Sequence, residues 1–440
     1  MVTTTGDCSC MFNTYDYTKR NQTLCAVRPA ICQSQKLEAA WAVGADQVLQ
    51  RPLPQSSGEI KPGGAGCLHP VLFHARLVSM SYVRSYAEIL DLIDQIDPVA
   101  YATTRNHLSG AVTRLSPYIT RGIISLPFVR ERLLAKHSAA DCAKLIQELA
   151  WREYFQNVWF DRGDDIFSDI RFPRDDWRHA AVVSAVADAA TGVQAMDAAI
   201  KELYDTGYMH NHMRMWVASV SCNLAYAHWH AMGAWLYYHL IDGDLASNFL
   251  SWQWVAGTSV NKRYTVNQAL INACSDQQQA HSLLTFDREQ MTQLPTPDIL
   301  LPFEDSQLTT SYPDLDPLVT VSGATVSLYT PWTLDPTWRP ADVDRRILVI
   351  DPVWFDRYPV SDLVLDFIIR QGTIVIPELE VHVGSVADIH GISDALTVQA
   401  LAHQTNQAWP VQFDQIDRLF PHVQGYYKSF FAYWKAVQAP

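Results

Sequence analysis

The 440-residue chain is 48% apolar and 18% charged, a globular composition with room for about two or three ordinary domains and unlike a disordered one. Its 33 basic and 46 acidic residues leave a net charge of −13, which on its face argues against a broadly basic nucleic-acid surface. Counted by segment, the charge is +2 over 1–80, −4 over 81–280 and −11 over 281–440, so the acidity belongs mostly to the last third.

Residues 1–80 show no clear period and contain loop signals such as PLPQSSGEIKPGGAG, and are expected to form an extension of no readable structure. The N-terminus lacks an apolar h-region, so no secretory signal is expected. The eight cysteines form no CxxC pair and fit no common zinc spacing, which suits a reduced, metal-free protein of the cytoplasm. Over 81–280 helical periodicity dominates. SYAEILDLIDQI (85–96), CAKLIQELAWREYFQNVWF (142–160) and VQAMDAAIKELYDTG (193–207) read as helices, with Gly207 as a stop signal. The apolar run 215–241 is interrupted by Asn223, His228, His230 and His239, and reads as part of a buried helix pair, not a membrane span. Residues 281–325 read as a linker. The pattern RRILVID, SDLVLDFIIRQG, TIVIPELEVHVG predicts strand, helix, strand within an α/β domain over 326–440.

Four stretches carry residues suited to chemistry. In GYMHNHMRM (207–215), Tyr208, Asn211, Arg214 and Met215 share roughly one helix side, where buried polar groups need partners; a structural salt bridge is the plainer reading. In HLIDGDLASNFLSWQWVAGT (239–258), Asp242 and Asp244 flank Gly243 with Asn248, Trp252 and Trp254 close behind. The D-G-D either ends a helix or accepts hydrogen bonds from a ligand's hydroxyl or ring N–H groups. TRLSPYITRGIIS (113–125) offers hydroxyls before a Pro-containing helix start, an anion site or a simple N-cap. QELAWREYF (147–155) groups Glu148, Trp151 and Arg152 at helical spacing; a solvated face with a half-buried Trp is the alternative.

Taken together and in this order, T-R-L-S-P-Y-I, E-L-x-W-R-E-Y-F, T-G-Y-M-H-N-x-x-R-M and D-G-D-L-A-S-N-x-x-S-W-Q-W resemble the FAD-binding domain of the DNA photolyase/cryptochrome family over roughly 82–275. The resemblance implies a mainly α-helical FAD-binding domain followed by a smaller α/β, Rossmann-like C-terminal domain. It implies FAD held with Tyr101, Thr113, Leu115 and Ser116 on the phosphate side. Arg152 and Arg214 would pair with the pyrophosphate or acidic neighbours, Asp242 and Asp244 would meet the isoalloxazine and ribityl groups, and Asn248 would face the flavin N5. Asn at that position is similar to photolyases, and Glu148, Trp151, Asn211, Met215 and Trp254 match positions that contact a cyclobutane pyrimidine dimer. Trp252, Trp229 and Trp177 match the tryptophan chain of flavin photoreduction, Trp177 with a one-residue gap.

The implied activity is light-driven repair of cyclobutane dimers in DNA, a deoxyribodipyrimidine photo-lyase reaction on a flipped-out lesion with electron transfer from excited reduced FAD. UV-damaged DNA is the implied partner and no membrane is involved. The antenna chromophore is left open. Departures from the family motivate a second reading, a cryptochrome-like blue-light photoreceptor with a signalling partner. No α/β antenna pattern precedes the flavin-like region, and the one that follows is either a displaced antenna or a Rossmann-like domain of other ligand. Val112 stands at a usual Thr, and NKRYTVNQALIN (261–272) replaces the family's lesion-side stretch, with Lys262 and Arg263 either touching phosphate or solvated. A third reading is a flavin-binding structural protein without photochemistry. Under the repair reading the acidic C-terminal domain should point away from DNA.

Overall fold

The computed structural model describes residues 82–316, 318–339, 341 and 343–439, so the N-terminal extension lies outside the described residues. The helices are α1 (Tyr86–Asp94), α2 (Pro98–Thr104), α3 (Ser116–Thr120), α4 (Leu126–Leu134), α5 (Ala139–Arg162), α6 (Ser184–Ala187), α7 (Gln194–Thr206), α8 (Asn211–Asn223), α9 (Trp229–His239), α10 (Leu245–Ala256) and α11 (Gln268–Ala273). Their starts follow from local chemistry. Ser85 and Glu88 form a capping box, Asp97 caps ahead of Pro98, and Ser138 caps α5. Gly207 ends α7 in the left-handed region at φ 72°, and Gly257 ends α10 at φ 88°. The expected buried helix pair is α8 and α9, which with α10 forms the centre of the helical part. Among the described residues no helix is long and apolar enough to cross a membrane.

The C-terminal part carries a parallel five-stranded sheet in the order β5-β4-β3-β6-β7. Its strands are β3 (Thr325–Tyr329), β4 (Arg345–Ile350), β5 (Leu379–Val383), β6 (Thr397–Leu401) and β7 (Gln412–Asp414), joined in part by α12 (Pro352–Arg357) and α13 (Asp362–Val375), with α14 (Phe430–Val437) last. Val326, Leu328, Ile347, Val349 and Ala400 form the core of the sheet with Val386 and Ile389. The predicted strand, helix, strand unit is present as β4, α13 and β5. Thr373, Ile374 and Val375 end α13 and do not open the strand as their β-branching suggested, because Gly372 lets the helix continue against Leu334 and Leu379.

The segment 281–325 is more than a linker. It holds β2 (Phe303–Glu304), which pairs antiparallel with β1 (Val182–Val183) of the helical part. The α/β part is also not a separate body after residue 326. Buried Arg121 donates to Ile241 O at 2.8 Å and to Pro331 O at 3.4 Å, and Leu334 N donates back to Arg121 O. Gly122, at φ 70°, is required there: a Cβ would stand 2.4 Å from Trp332 O. The C-terminal segment returns across the helices. The Glu153 carboxylate accepts from the Leu419 and Phe420 N–H groups and from the Tyr433 hydroxyl.

Candidate functional site

A cavity of about 260 Å³ opens among α2, α5, α8 and α10. The α5 helix supplies Glu148, Trp151 and Arg152, spaced so that all reach the cavity wall. The α8 helix supplies Asn211, Arg214 and Met215 from its first turns. Tyr208 precedes that helix, whose N-cap is His210, so it does not share a helix face with them; its ring stacks on Tyr82. The D-G-D segment closes the far side. Asp244 caps α10 by accepting from Ser247 N at 2.6 Å, so it is both a structural cap and a wall residue, and Gln156 donates to its other oxygen.

Electrostatics centre on Arg214 and Asp242. Arg214 Nη2 reaches both Asp242 oxygens at 3.0 and 2.9 Å, and its Nε donates to Met209 O at 2.8 Å. Burial opposes ionisation of Asp242, yet the Arg214 guanidinium and a Ser116 hydrogen bond hold its carboxyl below the usual range. Glu148 behaves oppositely: burial pushes its pKa up against the pull of Lys144 at 2.9 Å and Arg105 at 3.6 Å. Arg152 donates to Thr120 Oγ1 at 2.6 Å. Asn248 Nδ2 donates to Gly233 O at 2.9 Å, which turns Oδ1 toward other partners.

Of the residues singled out in the sequence, Tyr101, Thr113, Ser116, Glu148, Trp151, Arg152, Asn211, Arg214, Met215, Asp242, Asp244, Asn248 and Trp252 share this one cavity, as does Val112. Two do not. Leu115 is 1% exposed and packs into the core while its neighbours Thr113 and Ser116 line the wall. Trp254 is not among the cavity's lining residues, and its ring lies 5.6 Å from that of Tyr264. The α3 segment is a five-residue helix with no side-chain cap, and the simple N-cap within 113–125 is instead Ser125, which accepts from Phe128 N at the start of α4. Arg263 pairs with Asp176, so it is neither solvated nor free for phosphate.

Trp151 has an unexpected neighbour. Its ring stacks on Phe430 of α14 at 3.7 Å and 9°, and it is 5% exposed, which rules out the half-buried solvated face. Trp252 sits in the wall. Trp229 is buried and donates to Asp169 Oδ1 at 2.7 Å, and His228 lies between it, at 5.5 Å, and Trp177, at 5.3 Å. Trp177 is 43% exposed, so the row ends at the surface.

Arg105, His210, His212 and Ser247 line the cavity without having been singled out. The repeated His in M-H-N-H was the available signal for two of them; Arg105 shows no motif. Burial pushes His210 and His212 down to about 4. The unfolded chain therefore takes up protons that the folded one refuses between pH 6.5 and 4, and stability should fall as pH drops through that window. Thermal melts at pH 7 and 4.5 check this, with His212→Asn expected to flatten the dependence. An unchanged melting temperature would contradict it.

The cavity suits a polar, ring-bearing cofactor. The Ser247 hydroxyl and the Trp151 indole N–H are enclosed in its wall without a hydrogen-bond partner among the described residues, leaving groups for a ligand to satisfy.

Residues 145–298 match the family model described as the FAD binding domain of DNA photolyase. Among curated proteins, the chain is 36% identical over 165 residues to a deoxyribodipyrimidine photo-lyase of Streptomyces griseus, covering 37% of this chain and 36% of that protein. It is 37% identical over 172 residues to a cryptochrome DASH of Natronomonas pharaonis, again 37% and 36%. A solved bacterial class III photolyase from Agrobacterium tumefaciens is similar at 27% identity, with a TM-score of 0.37 over 41% of this chain and 39% of that one. The chain thus spans about a third of the length of the curated relatives it matches. The matched segment is thus similar to the FAD-binding domains of photolyases and cryptochromes.

Proposed function

We propose that this photolyase-type FAD-binding domain serves light-driven repair of cyclobutane pyrimidine dimers in DNA. The observation that supports the reading is a shared cavity: Glu148, Asn211 and Met215 line the same space as the flavin-side residues Arg214, Asp242, Asp244 and Asn248. Reduced FAD, when bound, supplies an electron on excitation by light. Everything else falls to the chain. Arg214, held by Asp242, is the fixed cation, and Tyr101, Thr113, Ser116 and Arg152 offer hydrogen bonds along the cofactor. Asn248 offers its amide oxygen near the ring. Glu148, whose pKa burial raises against the pull of Lys144 and Arg105, faces the space where charge would develop on a pyrimidine carbonyl. Met215 adds a soft apolar contact for a flipped base.

Trp252, Trp229 and Trp177 make a route for electrons from the surface to the cavity. Trp252→Phe should slow flavin photoreduction at least about tenfold in steady illumination, since Phe is far harder to oxidise; an unchanged rate would remove the tryptophan-chain assignment.

The function itself is tested with reduced protein, blue light and an oligonucleotide carrying one dimer. Restored thymines are expected, and a dimer left intact would end the repair reading. A second reading, a blue-light photoreceptor without repair, draws on one observation: the Trp151 face that would receive a base is stacked on Phe430.

A further inference from the structure

The α/β part has a cavity of its own, about 400 Å³, at the carboxyl ends of β3, β6 and β7. Asp335 and Trp338 follow β3, His403 follows β6 and Asp417 follows β7. Asn157 and Phe160 of α5 form the opposite wall. Its place has a topological cause. In the order β5-β4-β3-β6-β7 the chain leaves β3 toward β4 but leaves β6 toward β7. The loops therefore diverge between β3 and β6, and an open parallel sheet leaves a ligand crevice at such a switch point.

The wall chemistry selects the ligand. After β3 the chain reads Thr330, Pro331, Trp332, Thr333, with no glycine and one residue lacking an N–H, so no phosphate cradle forms there. Glu153, Asp244, Asp335, Asp414 and Asp417 outnumber Arg152 and Arg418 in the lining, which further disfavours an anion. Most of these carboxylates are already engaged: Glu153 by Leu419, Phe420 and Tyr433, Asp244 by Ser247 and Gln156, and Asp414 by Arg339 at 2.7 Å. Asp335 Oδ1 accepts from the Thr337 N–H and hydroxyl, both at 2.7 Å, but neither Asp335 nor Asp417 makes an ion pair within 4.0 Å among the described residues. Burial raises the pKa of Asp335 against the hydrogen bonds from Thr337 and Trp338, and the Asp417 charge adds a smaller push in the same direction.

Three further groups face the same space. Trp338, its indole fixed by donation to Asp414 Oδ2 at 2.9 Å, and Phe160, 65% exposed, present aromatic surface. The Asn157 amide nitrogen is enclosed and has no hydrogen-bond partner among the described residues.

We infer that this switch-point cavity binds a small organic cation, an amine or amidinium on an aromatic body, with its charge at Asp335 and Asp417 and its ring against Trp338. The site is separate from the flavin cavity, although Ile119, Arg152 and Asp244 are common to both walls.

The test is calorimetric titration of the full, FAD-loaded chain with tryptamine, its uncharged analogue tryptophol, and the anion indole-3-acetate. Tryptamine should bind at least about tenfold tighter than tryptophol, with no binding of indole-3-acetate. Asp417→Asn, an exposed position safe for folding, should weaken tryptamine at least about fivefold and leave the flavin absorbance unchanged. Trp338→Leu should weaken tryptamine and tryptophol alike. Equal binding of tryptamine and tryptophol, no binding of tryptamine, an unaffected Asp417→Asn variant, or release of FAD by tryptamine would each overturn the inference.

Discussion

Arg214→Ala is expected to abolish FAD retention and to destabilise the fold by about 3–5 kcal/mol, the usual result of breaking a buried ion pair from one side. Asp242 is 4% exposed and its two oxygens both rest on the Arg214 guanidinium. Removing the guanidinium leaves a carboxylate that the cavity cannot solvate, and also orphans the Met209 carbonyl that accepts from Nε. The loss should be partly rescued in stability, but not in flavin binding, by Arg214→Met combined with Asp242→Leu, because that pair removes both charges at similar volume. Urea denaturation and the flavin-to-protein absorbance ratio measure the two effects. A single variant that kept both stability and flavin would show that the pair is not the centre of the site.

Phe430→Ala should uncover the Trp151 ring. Phe430 is 1% exposed and its stack at 3.7 Å fills the space above the indole, so truncation removes about 3–5 kcal/mol of packing from the docking of α14. Glu153 still holds Leu419, Phe420 and Tyr433, so the segment should loosen at its end without leaving. Under the repair reading, affinity for dimer-containing DNA then rises at least about tenfold over the parent, because the base no longer competes with Phe430 for the same face. Fluorescence anisotropy with damaged and undamaged duplexes reads this directly. Equal, weak binding by parent and variant would favour the photoreceptor reading, in which Trp151 is a seat for the chain's own C-terminus.

The legible parts of the molecule were those written in contiguous residues. The spacing of Glu148, Trp151 and Arg152 carried over intact because a helix with a Ser138 cap and a Gly163 end fixes their faces. Gly207 was readable as a stop because only a left-handed residue suits that position. What escaped were pairings across long separations. Nothing local in Glu153 announces that it binds Leu419 and Phe420, or in Val182 that it meets Glu304. Arg105 meets Glu148 only after α2 packs on α5. Strands β3, β6 and β7 are short, and their alternation is too brief to stand out.

The acidity that first argued against nucleic acid also has a local meaning. Part of it is offset in ion pairs, Glu380 with Arg345 and Asp414 with Arg339, and part lines the switch-point cavity.

The absorption spectrum of the purified chain after reconstitution with FAD and gel filtration, taken before and after blue illumination with a thiol reductant present, tests the flavin assignment most directly. The expected result is flavin that co-elutes with the protein and loses its oxidised absorption bands under light while protein-free FAD under the same light changes more slowly. Protein that emerges without flavin, or bound flavin that stays oxidised throughout illumination, would contradict it.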